Sequence, residues 1–161
     1  MITDKNKNEV NILEKNFIKY LDLNGKYVEW FWENGSELMQ VNFGIPYENG
    51  LHTFQPDFIV KFADGTVGIF DTKASTEFKA IDGYDENTRV KAEALFKYVQ
   101  DTNTGRNKNM KVIGGIVIEK NGNFYYNSSS EYTNYASNPS KWHPFEEILD
   151  NVRLALDLKT K

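Results

Sequence analysis

Two carboxylates and a lysine stand in a stretch otherwise built of apolar, β-forming residues. Asp57 lies in Phe54-Gln55-Pro56-Asp57-Phe58-Ile59-Val60-Lys61-Phe62, and Asp71 and Lys73 lie in Thr66-Val67-Gly68-Ile69-Phe70-Asp71-Thr72-Lys73. Charges in such surroundings are costly unless they are paired, protonated or bound to a cation. Two neighbouring carboxylates suit Mg²⁺, which takes one or two protein carboxylates and completes its shell with water and substrate phosphate. A lysine beside them carries positive charge toward a phosphate or a metal-bound water.

Whether these groups meet depends on register. The runs Phe58–Phe62 and Thr66–Thr72 flank Asp64-Gly65, a strong hairpin signal. A three-residue loop, Ala63-Asp64-Gly65 with the glycine left-handed, sets Phe62 against Thr66 and Asp57 against Asp71, with Lys73 on their face. A two-residue Asp64-Gly65 loop sets Asp57 against Thr72 and splits the carboxylates between faces. A site therefore requires the longer loop or a bulge. In that register the two Cβ atoms are roughly 5 Å apart and the charges repel until a proton or a cation resolves them.

Pro56-Asp57 followed by Asp71-Thr72-Lys73 resembles the PD-(D/E)xK nuclease superfamily. Further elements join it: Glu14-Lys15-Asn16-Phe17-Ile18-Lys19-Tyr20-Leu21-Asp22, then Val28-Glu29-Trp30-Phe31-Trp32-Glu33-Asn34-Gly35, and later Lys91-Ala92-Glu93-Ala94-Leu95. Together these look like the C-terminal endonuclease domain of type III restriction enzymes and related helicase-nucleases, over about Glu14 to Val99. The resemblance implies a restriction-endonuclease-like α/β fold. Its central mixed four-stranded sheet (an αβββαβ core, about residues 8–119) is flanked by helices, with an extra hairpin and a C-terminal helix over 120–161.

The same resemblance implies a Mg²⁺-dependent deoxyribonuclease, with Mn²⁺ as a substitute. Asp57, Asp71 and Lys73 would be catalytic. Asp57, Asp71, the Thr72 carbonyl and Glu14 would hold metal, and Lys91 would contact substrate. DNA is the expected partner, along with helicase/ATPase and methyltransferase modules. A Gln four residues before a Tyr, frequent in the corresponding helix of such nucleases, is absent, because Ala94 stands four before Tyr98.

Composition sets bounds on this reading. The chain has 161 residues, 14% of them aromatic, one domain's worth with material for a real core. It has no cysteine, so disulfides and thiolate metal sites are excluded. The polar start, Met1 to Asn8, has no apolar targeting core, and no run approaches membrane-spanning length, so a cytoplasmic protein is expected.

A net charge of −4 argues against an indiscriminate nucleic-acid binder. Only residues 73–111 carry a basic excess, with 8 basic and 6 acidic groups. The alternative to an active nuclease is a nuclease-fold module that does not cut alone and serves as a DNA-contacting or assembly part of a helicase complex. No GxxxxGK[ST] phosphate loop occurs, so the motor of such a complex is not in this chain.

The remaining elements follow from periodicity. Residues 8–21 form an amphipathic helix on Val10, Leu13, Phe17 and Tyr20, stopped by Asn24-Gly25, and Glu14 lies either toward the site or at the solvated edge of the stripe. Tyr27–Trp32 alternates as a strand with Val28, Trp30 and Trp32 on one face. Glu29, on the other face, is either a further acidic ligand or a solvated residue. Glu37–Phe43 reads as another strand, 44–51 as a connection and 74–87 as a polar loop. Thr88 caps a helix to about Gln100 that presents Lys91, Leu95 and Tyr98 on one face.

Asp101–Asn109 is a loop, and Lys111–Glu119 a strand parallel to the one carrying Asp71. Asn121-Gly122 turns into Phe124-Tyr125-Tyr126, and Pro144 opens a last helix on Phe145, Ile148, Leu149, Val152 and Leu156. The aromatics between 124 and 135 either stack bases or pack a sheet edge. His52 and His143 lack the spacing of a metal pair.

Overall fold

The computed structural model describes residues 4–34, 43–74, 86–105 and 110–160. They form an α/β fold around one mixed sheet. The elements run α1 (Asp4–Leu23), β1 (Val28–Glu33), β2 (Ile45–Tyr47), β3 (His52–Phe54), β4 (Phe58–Phe62), β5 (Val67–Thr72), α2 (Glu86–Thr104), β6 (Val112–Lys120), β7 (Asn123–Asn127), β8 (His143–Pro144) and α3 (Glu146–Lys159). Six strands lie in the order β1-β4-β5-β6-β7-β8, and β2 and β3 form a separate ribbon.

The β4–β5 hairpin has the three-residue loop. Phe58 pairs with Phe70 and Lys61 with Val67, and the Phe62 amide donates to the Thr66 carbonyl at 2.8 Å. Gly65 takes φ +93°, a conformation that strains any residue with a Cβ. Asp64 fixes the turn from inside, its carboxylate accepting from the Thr66 amide and hydroxyl, each at 3.0 Å.

β5 and β6 are parallel, Val67 against Val112 through Thr72 against Val117, with α2 as the crossover between them. Gly114 lets α2 close on that pair. A Cβ there would sit 2.6 Å from the Ile69 carbonyl and 3.2 Å from methyl carbons of Leu95 and Val99.

The helices cover both faces. Leu13, Phe17 and Leu21 of α1 and Ile148, Leu149 and Val152 of α3 bury their stripes against Phe58, Val60, Phe62 and Phe70. Phe17 is the hub, with ring centroids 5.1 Å from Phe58, 5.3 Å from Phe145 and 5.4 Å from Phe124. On the opposite face Leu95 of α2 packs with Ile45, Phe54, Ile69 and Val112. No helix among the described residues is long and apolar enough to cross a membrane.

Several expectations are corrected. The expected hairpin through Asn121-Gly122 forms as β6 and β7, and with β8 beside β7 it extends the expected four-stranded sheet to six strands among the described residues. The supposed connection 44–51 contains β2 and its turn to β3, where Glu48, Asn49 and Gly50 all take positive φ. Alternation in β1 slips at a bulge: Val28 faces Phe62 but Trp30 faces Lys61, so Val28 and Phe31 pack on the core and Trp30 is exposed.

Pro144 pairs with Tyr125 on the sheet edge, where its missing N–H costs no ladder bond, and α3 begins two residues later. α2 starts at Glu86, so Thr88 lies inside the first turn and does not cap it, and the helix continues to Thr104. The expected strand Glu37–Phe43, all but Phe43, and most of the loop over 74–87 lie outside the described residues.

Candidate active site

The β4–β5 ladder runs from Lys61–Val67 to Phe58–Phe70. Asp57 stands in the bend just before it, with its carboxylate against Asp71 and Thr72 at the open end of the hairpin. The two-residue period places Asp71 on the face of Ile69, toward α2. Asp71 is buried. Its carboxyl is held well above the usual carboxylate range, first by burial and then by the negative charge of Asp57, with a hydrogen bond between the two carboxyls acting in the same sense. The positive charge of Lys91 and a hydrogen bond from the Asp57 backbone pull it the other way. The pair is thus poised to hold a proton where a cation could stand.

Asp57 is gripped from two directions. Thr72 donates both its amide and its hydroxyl to the same oxygen, Oδ2, each at 2.8 Å. The Asp57 carbonyl accepts from the Asn34 amide at 2.8 Å. Asn34 is itself buried, and its carboxamide donates to the carbonyls of Phe43 at 2.7 Å and Pro56 at 2.8 Å while accepting from the Phe43 amide at 2.9 Å. This single side chain fixes the end of β1 to the residue just before Asp57. In the sequence Asn34 reads as half of an Asn-Gly turn, and its partners Phe43 and Pro56 emerge only in the fold.

Glu14 approaches from the other layer. The turn of α1 that buries Leu13 and Phe17 brings Glu14 near Asp57 and Glu33, and its pKa is raised to about 7 by partial burial first and then by those two negative charges. Glu33, the last residue of β1, is a second carboxylate that the sequence reading did not single out. Its place opposite Phe58, one step from Asp57, is visible only once the β1 register is known. Glu29 is not part of this group: it is exposed and 3.9 Å from the Lys61 amine.

The two lysines occupy different positions. Lys73 donates to the hydroxyl of buried Thr88 in the first turn of α2, and its amide donates to the Val117 carbonyl at 2.8 Å, closing the β5–β6 ladder. Lys91, one turn further along α2, lies 6.0 Å from the centre of the Phe54 ring and acts electrostatically on Asp71.

Elsewhere the candidates resolve into packing. Tyr132 is buried edge-on to Trp142, and Tyr125 packs on Tyr135, which also carries the Lys120 amine 4.1 Å above its ring. His52 and His143 each approach a nearby glutamate, Glu48 and Glu147, and pack on the rings of Tyr47 and Tyr126.

Among the described residues no three His, Cys, Asp or Glu side chains converge tightly enough to enclose a metal ion. A Mg²⁺ site does not need such a cage, since one or two carboxylates with water and phosphate suffice. The adjoining carboxyls of Asp57 and Asp71, one of them favouring its proton, fit that requirement. No family model matches the chain, and no curated protein matches it.

Proposed function

We propose that this chain is a Mg²⁺-dependent DNA endonuclease domain with a restriction-endonuclease-like core formed by β1, β4, β5 and β6, the cleavage module of a type III-like restriction enzyme. The observation that carries this reading is the meeting of the Asp57 and Asp71 carboxyls at the end of an otherwise apolar hairpin, with Asp71 buried. A pair of facing carboxylates in a packed region is destabilising by itself, and a site that binds a cation gives it a purpose.

In this reading Asp57, Asp71 and the Thr72 carbonyl hold the cation, with Glu14 beside Asp57 as the next acidic group. A bound Mg²⁺ would acidify a water and offset charge on the pentavalent phosphorane. Lys73, anchored on the first turn of α2, supplies positive charge toward the attacking water or the developing oxyanion. The charge of Lys91 lowers the proton affinity of Asp71 against the larger effects of burial and Asp57, and in this reading Lys91 contacts the phosphate from α2.

The test is plasmid cleavage in Mg²⁺ or Mn²⁺ by the native chain, Asp71→Ala and Lys73→Ala. Loss of an essential group from a concerted site costs on the order of 100-fold or more, and equal activity in all three proteins would overturn the assignment.

The net charge of −4 supports a second reading, in which the fold contacts DNA only as part of a larger complex with helicase and methyltransferase modules. Mn²⁺ titration separates the two. A competent site binds the ion in the native chain and loses it in Asp57→Ala, whereas a non-cutting module gives no such difference.

A further inference from the structure

We infer that the Thr72 side chain is a positioning residue for the metal end of the site, fixing the Asp57 carboxylate in the orientation that accepts a cation. The inference rests on the nuclease reading and deepens it. It concerns the hydroxyl of Thr72, a different group from the backbone carbonyl offered to the metal.

Amide and hydroxyl of one residue converge on Asp57 Oδ2 at 2.8 Å each, so that oxygen is fixed in both distance and direction. The grip is rigid. Thr72 is buried in β5, and a β-branched side chain in a strand has little χ1 freedom. The Asp57 backbone is separately pinned through the Asn34 amide. With one oxygen occupied by two donors, the second faces Asp71, where a cation shared by the two carboxylates would replace the hydrogen bond between them. A valine would suit a buried strand position better than a threonine on packing alone. The hydroxyl has a partner, and that partner is Asp57.

Packing and positioning separate in a crossed pair of variants. Thr72→Val keeps the shape and the branched side chain but removes the hydroxyl. Thr72→Ser keeps the hydroxyl but loses the methyl group. Mn²⁺ titration of the full chain, followed by electron paramagnetic resonance, is run beside thermal melts of the same proteins.

Thr72→Val is expected to bind Mn²⁺ about 10-fold or more weakly with an unchanged or higher melting point, the usual scale for losing a partner that orients a metal ligand. Thr72→Ser is expected to melt lower yet hold Mn²⁺ within about threefold of the native chain, as a retained orienting partner requires. Native-like affinity in Thr72→Val, or equal losses in both variants, would overturn the role of the hydroxyl.

Failure of the native chain to bind Mn²⁺ would instead remove the nuclease reading. The positioning role is then decided in the metal-free protein by the hydrogen-bond scalar coupling between the Thr72 amide nitrogen and the Asp57 carboxyl carbon. A coupling present in the native chain and Thr72→Ser but lost in Thr72→Val supports it. The same coupling in Thr72→Val overturns it.

Discussion

The carboxyls of Asp57 and Asp71 meet at the open end of the β4–β5 hairpin, and the buried member of the pair, Asp71, favours its proton because of burial and because of Asp57. The arrangement works against the fold in the absence of a cation. Everything that holds it in place, the Gly65 turn, the Thr72 grip and the Asn34 latch, lies in elements that also complete the sheet.

Asp71→Asn follows directly. A group whose folded pKa is raised contributes stability below its unfolded pKa, and that contribution is lost as pH rises through the folded value. At neutral pH the amide should therefore stabilise the metal-free protein by about 0.5–2 kcal/mol, the common gain when a strained functional group is relieved. It should also abolish Mn²⁺ binding. Urea unfolding in EDTA beside an Mn²⁺ titration checks both, and a destabilised Asp71→Asn would mean that the carboxylate is a net structural asset.

Glu14 gives a pH signature of its own. Its pKa rises from an ordinary 4.5 to about 7 in the folded chain, so the folded state binds the proton more tightly than the unfolded state does. Stability contributed by this group is complete below about 4.5 and falls as pH rises toward 7. Glu14→Gln should flatten the stability profile across that window in EDTA. Mg²⁺ should recover part of the loss in the native chain at the upper end, since a ligand that binds only the folded state stabilises it. Parallel native and Glu14→Gln profiles would show that its surroundings do not perturb it.

How far the sequence alone could reach is clear from these residues. The hairpin was legible because Asp64-Gly65 stands between two β-rich runs, whereas its register stayed open between a two-residue loop and the longer loop or bulge that unites the carboxylates. The parallel pairing of β5 with β6 followed from a strand, helix, strand order. The slip in β1 was not legible: a bulge inserts one residue without altering the apolar composition, so strict alternation misplaced Trp30 and concealed Glu33. The β2–β3 ribbon was missed because three-residue strands carry almost no periodic signal. Asn34 was read locally, and its partners Phe43 and Pro56 lie 9 and 22 residues away.

Asn34→Ala tests that latch. Removing the carboxamide leaves the Pro56 carbonyl and both backbone groups of Phe43 without the partner they have now. A buried group left unsatisfied costs about 1–3 kcal/mol. The expected result is a stability loss of at least that size by urea unfolding, with Mn²⁺ affinity also reduced because the strand before Asp57 loosens. A loss of stability alone would confine Asn34 to the fold.

Lys91 provides the last prediction. Its charge lowers the proton affinity of Asp71, opposing the burial and the Asp57 repulsion that raise it. Replacing it by methionine keeps a long side chain over Phe54 and removes the charge. Asp71 then holds its proton more firmly, and a divalent ion must displace that proton to bind. The pH at which Mn²⁺ binding reaches half its limiting strength should therefore move upward in Lys91→Met, with the affinity at high pH changed less than the affinity at neutral pH. An affinity lowered equally at every pH would instead assign Lys91 to direct charge attraction, and added salt would then narrow the gap between the two proteins.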